Sequence, residues 1–287
     1  MGPSIVFFEF MDRSAWTVFG WEIRKCMRSG SVGTVSGRLL RCSSSRIGLD
    51  GLEVDPPLRL EVSRAYYPMS GRLMPLEVRR EGFYVRLHAP LPGAAPTILL
   101  NGIVMHRITG VDPLSDARAK VRAAGVRKGS RVLDVCTGLG YTAIEEARAG
   151  ASEVYTIEVS EEVLALAELN PFSRGLTDDK IRLVLGDASS VLEAFPDSYF
   201  DVIVHDPPRF HVAGELYSLE FYKLLYRLLR PGGRLFHYTG EPMRRRGRGH
   251  GPLVRGVIER LRAAGFRVLG YRRGAQGVAA VKPKRLL

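Results

Sequence analysis

The chain has 287 residues, 45% of them hydrophobic and 25% charged, enough for one large domain or two modest ones around a real core. No apolar run approaches the roughly 20 residues that cross a bilayer, and the first 20 residues lack the basic-then-apolar order of a signal peptide, so a cytoplasmic protein without membrane contact is expected. Residues 240–287 carry 13 Lys and Arg against Glu241 and Glu259, a formal +11 of the chain's +12, which fits either a polyanionic partner such as RNA or a solvated Arg-rich surface.

In chain order, residues 1–35 show no sustained period but hold Phe7, Phe8, Phe10, Trp16, Phe19 and Trp21. They read as an extension that either docks elsewhere or precedes the working chain. Residues 36–110 read as a small, antiparallel, mostly β domain of five or six short strands. Leu58, Leu60 and Val62 alternate with polar residues, as do Leu76 and Val78, and Phe83, Val85 and Leu87. Asn101-Gly102 between two apolar runs is a two-residue hairpin signal. Cys26, Cys42 and Cys136 make an odd count without metal-ligand spacing, so reduced thiols and no metal are expected.

From residue 111 onward, strands alternate with helices. A helix over 115–124 precedes strands at 131–135, 153–159, 181–185, 201–205 and 234–238. Phe221, Leu224, Leu225, Leu228 and Leu229 mark an amphipathic helix that Pro231-Gly232-Gly233 stops, and a last helix covers 253–264. Runs at 266–271 and 277–281 form a closing hairpin. Such alternation predicts an α/β, Rossmann-like parallel sheet covered on both faces, with ligands beyond the carboxyl ends of its strands.

Those ends carry acids. Asp134 precedes the turn Cys136–Gly140, Glu158 lies 18 residues beyond Gly140, Asp187 follows the third strand, and His205-Asp206-Pro207-Pro208-Arg209-Phe210 follows the fourth. An acid near that offset can accept from both hydroxyls of a ribose. Taken singly, each carboxylate is a helix cap or surface charge. Four at successive strand ends point to one nucleoside ligand.

With these motifs in order, residues 112–281 resemble the class I S-adenosylmethionine-dependent methyltransferases. The resemblance implies S-adenosylmethionine as cofactor, its methionine end cradled by Asp134, Thr137, Gly138 and Gly140, its ribose on Glu158 and its adenine on Asp187 and Ala188. The chain departs from the family pattern at Cys136, where a glycine is usual. The closing hairpin matches the family, and no G-x-G-x-x-G occurs to favour a nicotinamide enzyme.

Asp206-Pro207-Pro208-Arg209-Phe210 looks like the loop of amino-methylating enzymes, in which the first side chain and the first proline carbonyl orient an acceptor amine. Arg209 stands where that loop has its aromatic, and Phe210 follows. Cytosine-carbon methylation needs a Cys near the fourth or fifth strand, and none is there. The run from His205 to Tyr238 also resembles an archaeal group of predicted methyltransferases named spermidine-synthase-like, so an aminopropyltransferase is the second reading. A non-catalytic RNA-binding module is the third.

Three parts are expected: an extension over 1–35 and a β-rich domain over 36–110, both read from the residue pattern, and a methyltransferase domain over 111–287, which the resemblance implies. Asp206 is expected to orient the acceptor, with His205 or Tyr238 as a second contact; a structural hydrogen bond is the competing role for His205. Pro207, Pro208, Arg209 and Phe210 are expected to hold the substrate. Arg244, Arg245, Arg246 and Arg248 either track an RNA backbone or belong to a solvated loop.

Overall fold

The structure, a computed structural model, describes residues 5–43, 45–240 and 251–284. The chain divides into two compact units, one of residues 1–9, 115–160 and 178–287, the other of residues 10–114 and 161–177.

In the second of these, β1 (Val18–Phe19) leads into α1 (Gly20–Ser29), which ends at Gly30 with φ +79°. β2 (Ser31–Gly33), β3 (Leu39–Cys42), β4 (Ile47–Leu49) and β5 (Leu52–Val54) form an antiparallel meander. β6 (Ala65–Met69) pairs with β1 and with β7 (Arg72–Pro75). β8 (Glu77–Arg80), β9 (Phe83–His88), β10 (Thr97–Leu100) and β11 (Ile103–Val104) make a third small sheet. Asn101 and Gly102 both take positive φ, the backbone that the Asn-Gly signal requires. Val18, Ile23, Leu40, Leu49, Tyr66 and Leu73 fill the core.

Two expectations fail in this unit. The alternating run at Leu58–Val62 forms no strand: its peptide groups bond the Tyr66 hydroxyl, which accepts from Glu61 N at 2.7 Å and donates to Arg59 O at 3.1 Å. Alternation marks which side chains can face a core, but a strand also needs a neighbour for its backbone. Cys26 and Cys42 are joined in a disulfide rather than reduced, because the end of α1 lies across β3 with the two Cα atoms 5.7 Å apart.

The other unit is built on α2 (Pro113–Ala124), β12 (Arg131–Val135), α3 (Tyr141–Arg148) and β13 (Glu153–Glu158). α4 (Glu161–Glu168) and the turn to Thr177 belong with the β-rich unit, where Arg80 pairs with Glu162 at 2.7 Å and Glu168 accepts from Met11 N at 3.0 Å. The chain then resumes with β14 (Ile181–Leu185), α5 (Ala188–Glu193), β15 (Phe200–His205), α6 (Leu219–Leu228) and β16 (Leu229–Tyr238). α7 (Pro252–Ala263), β17 (Arg267–Arg272) and β18 (Gly277–Val281) complete it.

The seven strands run in the order β14-β13-β12-β15-β16-β18-β17, and β18 alone runs antiparallel to the other six. Strand order therefore reverses between β12 and β15, the switch point where such sheets bind ligands. β16 begins five residues earlier than its apolar run, because Leu229 leaves the helix for extended backbone ahead of Pro231. Gly277 lets β18 close against β16, since a Cβ there would lie 2.4 Å from Phe236 Cζ. Part of the aromatic N-terminal stretch docks on the edge strand: Phe8 N donates to Leu183 O and Leu185 N donates to Val6 O.

Candidate active site

In-register parallel pairing decides which side chains share a face of the sheet. Asp134 pairs with Thr156 and Val204, whereas Val135 pairs with His205, which pairs with His237. Asp134 and Thr156 thus project to one face, His205 and His237 to the other.

After β12 the chain turns through Cys136 at φ +75°, Gly138 at +55° and Gly140 at +76°. Ile157 O accepts from both Cys136 N and Thr137 N, at 3.1 and 2.9 Å. Glu158 grips the turn from the neighbouring strand: Oε2 accepts from Gly138 N at 2.8 Å, and Oε1 from Val159 N and Ser160 N. Burial raises the Glu158 pKa, and those three N–H groups oppose the rise. Asp187 caps α5 through Oδ2, which accepts from Ser190 N and Ser190 Oγ at 2.9 and 3.0 Å, and Ala188 begins that helix.

The side chains of Asp134 and Thr137 lie beneath the turn, to which Thr137 belongs by its backbone. Both are buried, and their groups form a chain: Thr137 donates to Thr156 Oγ1 at 2.7 Å, and Thr156 donates to Asp134 Oδ2 at 2.7 Å. Asp134 is placed by β12 and Thr137 by the turn, and both side chains engage in this buried chain. Burial pushes the Asp134 carboxyl pKa up. Glu146 on α3 shares this face, fully buried, with neither carboxyl oxygen bonded among the described residues; burial and then the Asp134 charge push it up as well.

At the end of β15, Asp206 meets a cation that sequence reasoning missed. Lys120 Nζ on α2 lies 2.6 Å from Asp206 Oδ2 and 2.9 Å from Asp116 Oδ2, and 4.0 Å from the ring centre of Tyr238. The lysine side chain is only 4% exposed. Burial works against its charge, but Asp206 and then Asp116 outweigh it and raise its pKa. Asp116 and Lys120 sit four residues apart on one helix face, a spacing the sequence shows as an ordinary helix pair. Their approach to Asp206, 86 residues away, is tertiary.

His205 takes the structural role. It is fully buried, its Nε2 bonds Leu216 O at 2.9 Å, and burial lowers its pKa to about 4. His237 stands 4.4 Å from it, ring to ring, and its Nε2 bonds the Tyr222 hydroxyl at 2.8 Å. Pro207 is buried, while the Pro208 carbonyl accepts from the Tyr217 hydroxyl at 2.8 Å, which fixes the loop. Phe210 is half exposed and meets Tyr217 edge-on at 5.4 Å; Arg209 is exposed and makes no ion pair with Glu215. Arg244, Arg245, Arg246 and Arg248 lie outside the described residues.

Residues 132–233 match the family described as Methyltransferase domain. The uncharacterized protein MJ1233 of Methanocaldococcus jannaschii is 48% identical over 220 residues, covering 76% of this chain and 74% of that protein. This chain belongs to the class I S-adenosylmethionine-dependent methyltransferase family. The methyltransferase is also 35% identical over 178 residues to polyamine aminopropyltransferase 2 of Streptomyces coelicolor, covering 59% of this chain and 31% of that one. Ribosomal RNA large subunit methyltransferase I of Aeromonas hydrophila is 33% identical over 125 residues, covering 41% of this chain and 32% of that one.

The residues present fit the family's cofactor. Gly138 and Gly140 bring bare backbone to the switch point, and Gly140, the N-cap of α3, adds no side chain across the helix end. Cys136 stands in the same turn with its thiol pKa raised by burial and by Glu158, Asp206, Asp134 and Glu215. A thiol held protonated in that way is a wall, not a nucleophile. Among the described residues no His, Cys, Asp and Glu cluster is arranged to hold a metal.

Proposed function

We propose that this methyltransferase transfers the methyl group of S-adenosylmethionine to a nucleophile of RNA, an amine in the first instance. The observation that carries the reading is Asp206, tied through Oδ2 to Lys120 at 2.6 Å at the switch point, next to a proline pair. With Oδ2 engaged, Oδ1 and the Pro207 carbonyl have no donor among the described residues and together suit an N–H of the acceptor. Glu158 would meet the ribose, Asp187 Oδ1 and the Ala188 backbone the adenine, and the Gly138–Gly140 turn the methionine end. Asp134 and Thr137 would act from below, by stiffening that turn. Tyr238, under Lys120, would wall the acceptor side, and Phe210 and Arg209 would meet the substrate from the exposed loop.

The cofactor supplies an electrophilic methyl on a sulfonium. The chain's part is alignment: Asp206 accepts a hydrogen bond from the attacking group and turns its lone pair toward the methyl carbon. An RNA acceptor is supported by the charge of residues 240–287 and by the likeness to a ribosomal RNA methyltransferase.

One observation favours aminopropyl transfer to a polyamine as a second reading. The charges of Asp206 and Glu215 both reach Cys136 in the turn, and acids on that side suit a cationic acceptor. The likeness to a polyamine aminopropyltransferase points the same way. Tritiated methyl transfer to RNA, protein and polyamine fractions decides. The RNA reading expects label in RNA and its loss in Asp206→Asn. Turnover of putrescine with the decarboxylated cofactor, and none of RNA, would replace it with the second reading.

A further inference from the structure

Away from the switch point, the β-rich unit contains an open cleft of about 470 Å³, lined among others by Trp21, Arg24, Arg59, Val62, Pro90 and Pro92. That size lies within the roughly 300–1,000 Å³ of small-ligand sites. Its walls are fixed to each other. Gly20 N donates to Arg64 O, and a Cβ on Gly20 would lie 2.1 Å from Glu61 O, so the first turn of α1 rests directly on the 59–63 backbone. The irregular course of that backbone, held by Tyr66 instead of a strand partner, opens the cleft.

α1 is sharply divided. Glu22, Ile23 and Cys26 are buried, while Arg24, Lys25 and Arg28 are exposed and make no ion pair among the described residues. The only acid of the helix does not offset them: Glu22 spends its oxygens on Phe19 N and Val35 N, both at 2.6 Å, and burial raises its pKa to about 7. Arg59, on the opposite wall, has an 88% exposed side chain that pairs loosely with Glu61 Oε1 at 4.0 Å, the other oxygen of Glu61 accepting from Arg64 at 2.8 Å. Two cations, Arg24 and Arg59, therefore line a cleft that also holds Glu61, an indole and two proline rings, while Lys25 and Arg28 extend the positive charge along the exposed face of α1.

We infer that this cleft is a binding site for single-stranded RNA, taking a base against Trp21 and the prolines and its flanking phosphates on Arg24, Lys25, Arg28 and Arg59. Flat faces within a positive groove hold unpaired bases without sequence preference. The inference rests on the RNA reading of the site and adds a contact surface to it. An acidic peptide would satisfy the cations but leave the flat surfaces unused.

The test uses the full chain and a fluorescent single-stranded 12-mer RNA, with binding followed by anisotropy across a salt series. Arg24→Gln/Lys25→Gln/Arg28→Gln changes only exposed side chains; an unchanged melting temperature confirms the fold. Removing three phosphate contacts is expected to flatten the slope of log K against log salt by about 2. A 4-thiouridine 12-mer is expected to cross-link to the peptides holding Trp21 or Arg59. RNA bound with an unchanged slope, or cross-links confined to other peptides, overturns the cleft while leaving the RNA reading intact. Equal affinity for polyglutamate overturns it in favour of a generic polyanion surface. A chain that binds no RNA, and methylates another fraction, ends both.

Discussion

The two faces of the central sheet bury titratable pairs of opposite kind. On the α3 face, Asp134 and Glu146 are enclosed, and burial favours their protonated, neutral forms. On the α6 face, His205 and His237 are enclosed, and burial favours their unprotonated, neutral forms. A low-dielectric core rejects charge of either sign. Near the strand ends of the first face, Asp206 is treated differently: Lys120 reaches it from α2. Neutral pairs inside and one compensated charge at the switch point leave that end of the sheet as the place where charge is retained.

The largest effect expected from breaking this pattern is at the compensated charge. Lys120→Met strips the cation from buried Asp116 and part-buried Asp206 and should lower stability by about 3–5 kcal/mol in denaturant unfolding. Adding Asp116→Asn should recover part of that loss, since one of the two stranded charges disappears. A double variant no more stable than the single one would mean that Lys120 serves packing rather than charge.

The paired faces should respond to pH with opposite signs. Below its ordinary 6.5 the unfolded chain takes up a proton that folded His205 refuses until about pH 4, so His205 costs stability as pH falls through that window. His205→Asn should therefore gain on the parent protein toward low pH, by up to about 1.4 kcal/mol per pH unit. Glu146 works the other way. Above its ordinary 4.5 the unfolded chain releases a proton that the folded carboxyl keeps, so stability is lost as pH rises. Glu146→Gln should gain on the parent toward high pH. Parallel rather than opposed trends in the two variants, read from melting curves between pH 4 and 8, would contradict the assignment.

A smaller effect sharpens the cofactor side. Asp187→Ala should cost about 1 kcal/mol through the lost helix cap, whereas Asp187→Ser keeps a cap oxygen and most of the stability. If Asp187 also meets the adenine, calorimetry should show weaker S-adenosylmethionine binding in both variants. Weak binding in the alanine variant alone would reduce Asp187 to a cap. The smallest is a count: under denaturing, non-reducing conditions the chain should titrate one thiol, that of Cys136.

Much of the sheet was legible because parallel strands leave unambiguous marks. Val202–Val204 is apolar throughout and Val132–Val135 is broken only by Asp134, and a glycine turn follows the latter. The β-rich unit was harder, since strands of two to six residues carry little periodicity and Leu58–Val62 shows the pattern without the partner. At the candidate site, Asp206, Glu158 and Asp187 could be picked out by their place after strands. Lys120 could not, as one lysine in an ordinary helix face announces nothing about what it will meet.

By itself the sequence determined the order of strands and helices, the glycine turn after β12 and the acids at successive strand ends, all of which are local in the chain. Only the tertiary structure decided that Asp134 and Thr137 face inward, that His205 is buried against His237, and that Cys26 and Cys42 join. It alone brought Lys120 to Asp206. The reason is physical: local pattern records which residues prefer an element or a face, whereas burial and charge pairing depend on neighbours that only the folded chain assembles.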